Sequence, residues 1–173
     1  MAAGQPVAMV TLVSSDGQRF QLLEEAALLS AMVRDTLQIG QAGRGPAGIP
    51  LHNITSQTLS MVVVYCNKHY TAAAADGDDA ADEENKVANN KQLREWDERF
   101  INLEQDKLYD ILVAANNLGI DGLVDLCCWR FADMMKGKSA SEIRVKLGIS
   151  DDFTPEQRAQ IQKDSPWVWS RTT

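Results

Sequence analysis

From Leu108 onward the chain carries helix-forming segments with more apolar surface than a domain built from their neighbours can bury, and two tryptophans follow, Trp167 and Trp169. A fold for this sequence must therefore leave a helical face open, because apolar surface without an internal partner is typically kept for another protein. The segment from about Gly122 to Met135 shows the excess most clearly. Leu123, Leu126, Cys127 and Met134 fall on one side of it and Val124, Cys128, Phe131 and Met135 on another, so it is apolar nearly all round. Ser139-Ala140-Ser141-Glu142 has the spacing of a capping box, which starts a helix with Ile143 and Leu147 inward and Gly148 at its end. Thr154-Pro155-Glu156-Gln157 repeats the start signal with proline at the first helical position, yet the helix it opens has only Ile161 to bury. Trp167, Val168 and Trp169 beyond it read as anchors for a groove or a partner.

The earlier part of the chain has the periods of an ordinary core. Met9 to Val13 alternates weakly, Ser14-Ser15-Asp16-Gly17 supplies a turn, and Phe20 and Leu22 resume the alternation, which predicts a β-hairpin. Leu29, Met32, Val33, Thr36 and Leu37 make one helical stripe preceded by Glu24 and Glu25 and stopping before Gly40. Gly40 to Gly48 holds four glycines and Pro46, so it is a loop, and Ile49 and Leu51 flank Pro50 in a short edge strand. Leu59, Val62, Val63 and Cys66 form the apolar face of a second helix. Leu108, Ile111, Leu112 and Ala115 form another, closed before Gly119 in a stretch expected to be helical from Trp96 on. Trp96 itself is expected in the core rather than at an interface.

Between these parts, Thr71 to Lys91 has alanines, six acidic residues and almost no large apolar side chain, so it is expected to be an acidic disordered loop. Its six acids against Lys86 and Lys91 give −4 of the net −7, and the remainder is only mildly acidic. That balance argues against nucleic acid, which selects clustered Lys and Arg. The longest apolar run, near Met61 to Tyr65, is too short to span a membrane, and Met1 to Val10 lacks the pattern of a signal peptide. Three cysteines, two of them adjacent, imply no disulfide framework and point to a reducing compartment.

No catalytic site or cofactor is expected. Cys66 and His69 have a C-x-x-H spacing, but Cys66 lies on an apolar face and no second ligand pair follows; Cys127 and Cys128 point about 100° apart on a helix. Gly43 to Gly48 is glycine-rich like a phosphate cradle, but no Gly-Lys-Ser/Thr follows and Pro46 lacks a donor. His52 and His69 stand beside no obvious nucleophile.

An ordered set of motifs carries a family resemblance. Ser14 to Gly17, Ile49-Pro50-Leu51, Val64 to His69, Trp96-Asp97, Leu112 to Asn116 and Met135-Lys136-Gly137-Lys138-Ser139 through Asp152-Phe153-Thr154 resemble the SKP-one adaptor family of SCF (SKP, cullin, F-box) ubiquitin ligases. The likeness runs from about residue 8 to 169, and the acidic insert resembles the variable loop of plant members. It implies an α/β fold of the BTB/POZ type with appended C-terminal helices that bind an F-box. The expected boundaries are 7–70 for the N-terminal BTB/POZ half, 71–92 for the acidic loop, 93–135 for the C-terminal BTB/POZ helices and 136–169 for the F-box-binding helices. The resemblance assigns F-box contact to Tyr109, Leu112, Asn116, Val124, Cys128, Phe131, Met135 and Trp167, and cullin contact to Asn116 and Asn117.

Three positions depart from the family. Asn117 stands where tyrosine is usual beside the cullin-contacting asparagine, Pro166 replaces a polar residue before Trp167, and Arg44 sits where the loop is commonly acidic. The implied partners are F-box proteins and a cullin N-terminal domain, with no nucleic acid, membrane or small-molecule substrate. The implied location is nucleus and cytoplasm. Two other readings keep the same stripes: a BTB module that buries them against a second copy, and a decoy that binds F-box proteins without recruiting cullin. A metal-dependent or nucleotide-binding enzyme stands well behind both.

Overall fold

The computed structural model describes residues 8–40, 45, 47–76, 83–150 and 153–165. The alternating segments form β1 (Met9–Val13) and β2 (Arg19–Leu23), an antiparallel hairpin that pairs Val10 with Leu22 and Leu12 with Phe20. Its turn is closed twice by Ser14, whose backbone N–H donates to the Gln18 carbonyl at 2.9 Å and whose Oγ accepts from the Gln18 N–H at 3.0 Å. β3 (Ile49–Pro50) pairs parallel with β1, giving the strand order β2-β1-β3 and leaving Pro50 at an edge, where a missing N–H costs no ladder bond.

Helices pack on this small sheet. α1 (Glu24–Ala27) is a single turn, and α2 (Ala31–Ile39) begins after Ser30, whose Oγ accepts from the Val33 N–H at 3.2 Å as a side-chain cap. Leu29, expected at the head of the helical stripe, precedes the helix and is exposed, because the cap sets the start at Ala31. α3 (Ser56–Asp76) is the central element and packs against β2, α1, α4 (Glu83–Phe100) and α5 (Gln105–Leu118). Its predicted face, Leu59, Val62, Val63 and Cys66, is buried. The hairpin turn holds its start: the Ser56 N–H and hydroxyl donate to the Asp16 carboxylate at 2.9 and 2.5 Å.

The expected disordered loop over 71–92 is corrected: α3 continues through Asp76 and α4 starts at Glu83, so only 77–82 lie outside the described residues. Alanine is the strongest helix former, and Ala72 to Ala75 prolong α3 without needing a buried face. The two helices are joined by rings. Tyr65 and His69 of α3 meet Phe100 and Trp96 of α4, with ring centroids 6.0 Å apart for Tyr65 and Phe100 and 6.3 Å, edge-on, for His69 and Trp96, and His69 Nε2 donates to Asp97 Oδ1 at 2.8 Å. Trp96 is thus half-buried against α3 and its own helix, not fully in the core. The expected unbroken helix from Trp96 stops at Phe100, and Asn102 to Glu104 lead irregularly into α5.

α6 spans Asp121–Met135, α7 Ala140–Lys146 and α8 Pro155–Asp164. The chain divides into two units, 1–130 and 131–173, with the division inside α6. The first unit owns the core: Leu59, Ile101, Leu108, Ile111, Leu118, Leu123 and Cys127 are almost wholly shielded. In the second, both predicted capping boxes form, Ser139 with Glu142 and Thr154 with Gln157. α7 closes with the Gly148 N–H donating to the Val145 carbonyl and the Ile149 N–H to the Arg144 carbonyl, the paired bonds of a Schellman motif, which Gly148 permits by taking φ 64. The inward placement expected for Ile143 and Leu147 is corrected, since both are only half-buried and neither α7 nor α8 has a buried residue. Seven residues in one helix and ten in the other, joined to no sheet, are too few to enclose a core.

Candidate partner-binding surface

α5, in the first unit, and α6, within which the two units divide, position the expected contacts. On α5 the buried face is Leu108, Ile111, Ala114, Ala115 and Leu118, which turns Tyr109 and Asn116 outward with Leu112 half-buried beside them. Tyr109, Leu112 and Asn116 follow at i, i+3 and i+7, one surface stripe. Leu112, expected among the inward residues, is at the margin because Ala114 and Leu118 take the centre of the core. Tyr109 is 59% exposed, an aromatic left largely in water.

α6 buries Leu123 and Cys127 and carries the second stripe, Val124, Cys128, Phe131 and Met135, at i, i+4, i+7 and i+11. Cys128 is exposed and the other three are half-buried. The helix that is apolar all round in sequence is therefore amphipathic in place, with one face in the core and the other outward. Trp167 and Pro166 lie outside the described residues, so the anchor expected there has no position.

The end of α5 is fixed by Gly119, in the left-handed region at φ 64 and ψ 47, with its N–H donating to Asn116 and the Ile120 N–H to Ala115. This closure presents Asn116 and Asn117 side by side at the helix terminus, both exposed. Asn117 borders an open depression of about 190 Å³ with Met32, Leu51, His52, Asn53 and Leu118. The depression joins α2, the segment after β3 and α5, so sequence spacing could not reveal it. Val113, 38% exposed one turn after Tyr109, extends the α5 stripe, and its i+4 spacing from Tyr109 was the signal for it.

The ionisable groups fit packing and capping. Burial pushes the Cys66 and Cys127 thiols up to about 12, so both stay neutral packing groups at physiological pH. Burial, with a smaller part from Asp97, also raises the Tyr65 hydroxyl. The Glu142 carboxyl is lowered by its hydrogen bonds with the Ser139 backbone and side chain. Among the described residues no three His, Cys, Asp or Glu side chains gather as a metal site, and no helix is long and apolar enough to cross a membrane. His69 is engaged with Asp97, and Cys66 is buried on α3.

Residues 8–71 match the tetramerisation domain of the Skp1 family, and residues 121–168 match the dimerisation domain of the same family. The chain is 40% identical to SKP1-like protein 20 of Oryza sativa subsp. japonica, over 97% of this chain and 98% of that protein. It is 37% identical to SKP1-like protein 4 of Arabidopsis thaliana, over 93% and 96% of the two chains. Beyond plants, it is 34% identical to the E3 ubiquitin ligase complex SCF subunit sconC of Arthroderma otae, over 98% and 99%. The small sheet with its packed helices is the POZ part of that architecture, and the apolar α6 stripe opens the dimerisation part. The chain belongs to the Skp1 family.

Proposed function

We propose that the protein is the adaptor subunit of an SCF-type ubiquitin ligase, holding an F-box substrate receptor with α5 to α8 and a cullin N-terminal domain at the end of α5. The observation that supports it best is the outward stripe of α6 in a chain whose following helices have no buried residue of their own. Such helices gain their apolar burial from a partner, as a folding-on-contact surface does. Tyr109, Leu112, Asn116, Val124, Cys128, Phe131, Met135 and Trp167 are the proposed F-box contacts, and Asn116 and Asn117 the proposed cullin contacts.

The adaptor acts by position. Holding receptor and ligase in one fixed geometry raises the effective concentration of substrate lysines near the charged conjugating enzyme, with no bond chemistry required of the adaptor. Co-expression with an F-box protein, followed by addition of a cullin N-terminal domain and measurement of mass by size exclusion with light scattering, tests it. A ternary complex is the expected result. A binary F-box complex that ignores cullin would make the chain a decoy, and a concentration-dependent dimer that resists F-box competition would make it a self-associating module.

A further inference from the structure

The stripe assigned to the F-box uses one outward face of α6, and a second outward face has a different chemistry. Asp121, Asp125 and Trp129 follow at i, i+4 and i+8, so they lie one above the other along the helix, and all three are exposed. Trp129 is 52% exposed, a large indole left in water in the unit that buries Leu123 and Cys127 almost completely on the same helix. The spacing explains both: the core face takes 123 and 127, and the residues two further along each turn away from it. Asp121, in the first turn of α6, suits the positive end of the helix dipole, whereas Asp125 one turn on repels it weakly and is buried against nothing in the core. The cation next in sequence, Arg130, donates from Nη2 to Asn102 Oδ1 at 2.8 Å.

An exposed indole beneath carboxylates is a receptor for a cation. The ring face attracts a guanidinium or ammonium through its quadrupole, and the acids in line with it supply charge complementarity and hydrogen-bond acceptors. The strip is also continuous with the proposed receptor interface: Cys128 is the next residue to Trp129, about 100° round a helix whose diameter is roughly 10 Å. A chain seated on Val124 and Cys128 therefore passes within side-chain reach of Trp129.

We infer that Asp121, Asp125 and Trp129 form a second contact strip that takes a basic segment of the receptor chain flanking its F-box, and so discriminates among F-box proteins by the charge of that flank. This rests on the adaptor reading above. The F-box stripe is apolar and selects for the helix pair itself; the acidic aromatic strip selects for what lies beside it. Receptors with a basic flank bind more tightly than receptors with a neutral or acidic one.

The test uses the full chain, wild type and as Trp129→Ala and Asp121→Asn/Asp125→Asn, with two probes. One is an F-box protein with a Lys and Arg cluster flanking its F-box; the other is the same protein with that cluster changed to serine. Titration calorimetry at low salt is expected to give a three- to tenfold weaker complex for each variant with the basic probe and no change with the serine probe. The difference should shrink at high salt, as exposed charge interactions do. Equal losses with both probes would overturn the inference by making Trp129 part of the F-box groove or of the fold. No loss with either would overturn it as well. Failure of the wild-type chain to bind either probe would instead refute the adaptor reading, so the two failures are distinguishable.

Discussion

The Ser30 hydroxyl donates to the Leu118 carbonyl at 2.5 Å while the neighbouring Ala31 N–H donates to the Gly119 carbonyl at 3.2 Å, so the start of α2 is bonded to the end of α5. Ser30 is 3% exposed and serves twice, since the same oxygen caps α2 through Val33. The junction holds Asn116 and Asn117 at the surface and shapes the depression beside them. A cap on one helix thus positions a binding edge on another.

Gly119→Ala is expected to lower the unfolding free energy by about 1 to 3 kcal/mol, since alanine in the left-handed region is strained. Its Cβ would also stand 2.9 Å from the Ala31 Cβ. Ser30→Ala, which removes both bonds, should cost about 1 to 2 kcal/mol. The two changes share one junction, so the double variant should lose less than the sum. Urea denaturation followed by circular dichroism checks all three; additive losses would show the junction is not a unit.

Asn117→Tyr is expected to strengthen binding of a cullin N-terminal domain roughly tenfold, about 1.4 kcal/mol. Asn117 borders an open depression with Met32 and Leu51, which an aromatic ring can cover and an amide cannot. F-box affinity should not change, because Asn117 is outside the stripe of Tyr109, Leu112 and Asn116. Paired titrations of the two partners decide it, and an equal gain for both would refute the division of the surface.

Where a single element carries its own period, the fold was legible in sequence. The alternation of Val10 and Leu12 and the stripe Leu59, Val62, Val63, Cys66 mark faces that the structure buries. The outward α6 stripe was legible for the same reason, as apolar residues in excess of one core-facing arc. Helix over 71–76 and 83–92 was not, because alanine and charged residues satisfy helix propensity without leaving an apolar face to read. Nor was the joint of Tyr65, His69, Trp96, Phe100 and Asp97, whose contacts cross between two helices and have no common spacing. The depression at Asn117 escaped on the same ground, since it is assembled from three separate segments.

The three cysteines should differ sharply in reactivity. Cys66 and Cys127 are buried, with thiols pushed up to about 12, whereas Cys128 is exposed on the proposed F-box stripe. Iodoacetamide at pH 8 is therefore expected to modify Cys128 in the folded chain and the other two only after unfolding, because alkylation requires accessible thiolate. Mass spectrometry after pulse labelling reads this directly. Saturating F-box protein should protect Cys128, and full labelling in its presence would remove Cys128 from the interface.

The start of α7 should respond to acid through Glu142. Its carboxylate accepts from the Ser139 N–H at 2.8 Å and the Ser139 hydroxyl at 2.7 Å, and these bonds hold its pKa below the ordinary 4.5. A carboxyl with a lowered folded-state pKa contributes stability that is complete above the unfolded value and is lost as pH falls through the folded one. The capping box is therefore intact at pH 6 and opens at a pH below 4.5, fraying a helix that has no buried residue to hold it. Backbone chemical shifts of residues 140–146, followed from pH 6 to pH 2.5, measure the change. Glu142→Gln keeps an acceptor for the Ser139 N–H but cannot titrate, so its helix should form less firmly at pH 6 and lose less on acidification. Wild-type shifts that hold steady throughout would place the stability of α7 elsewhere than in its cap.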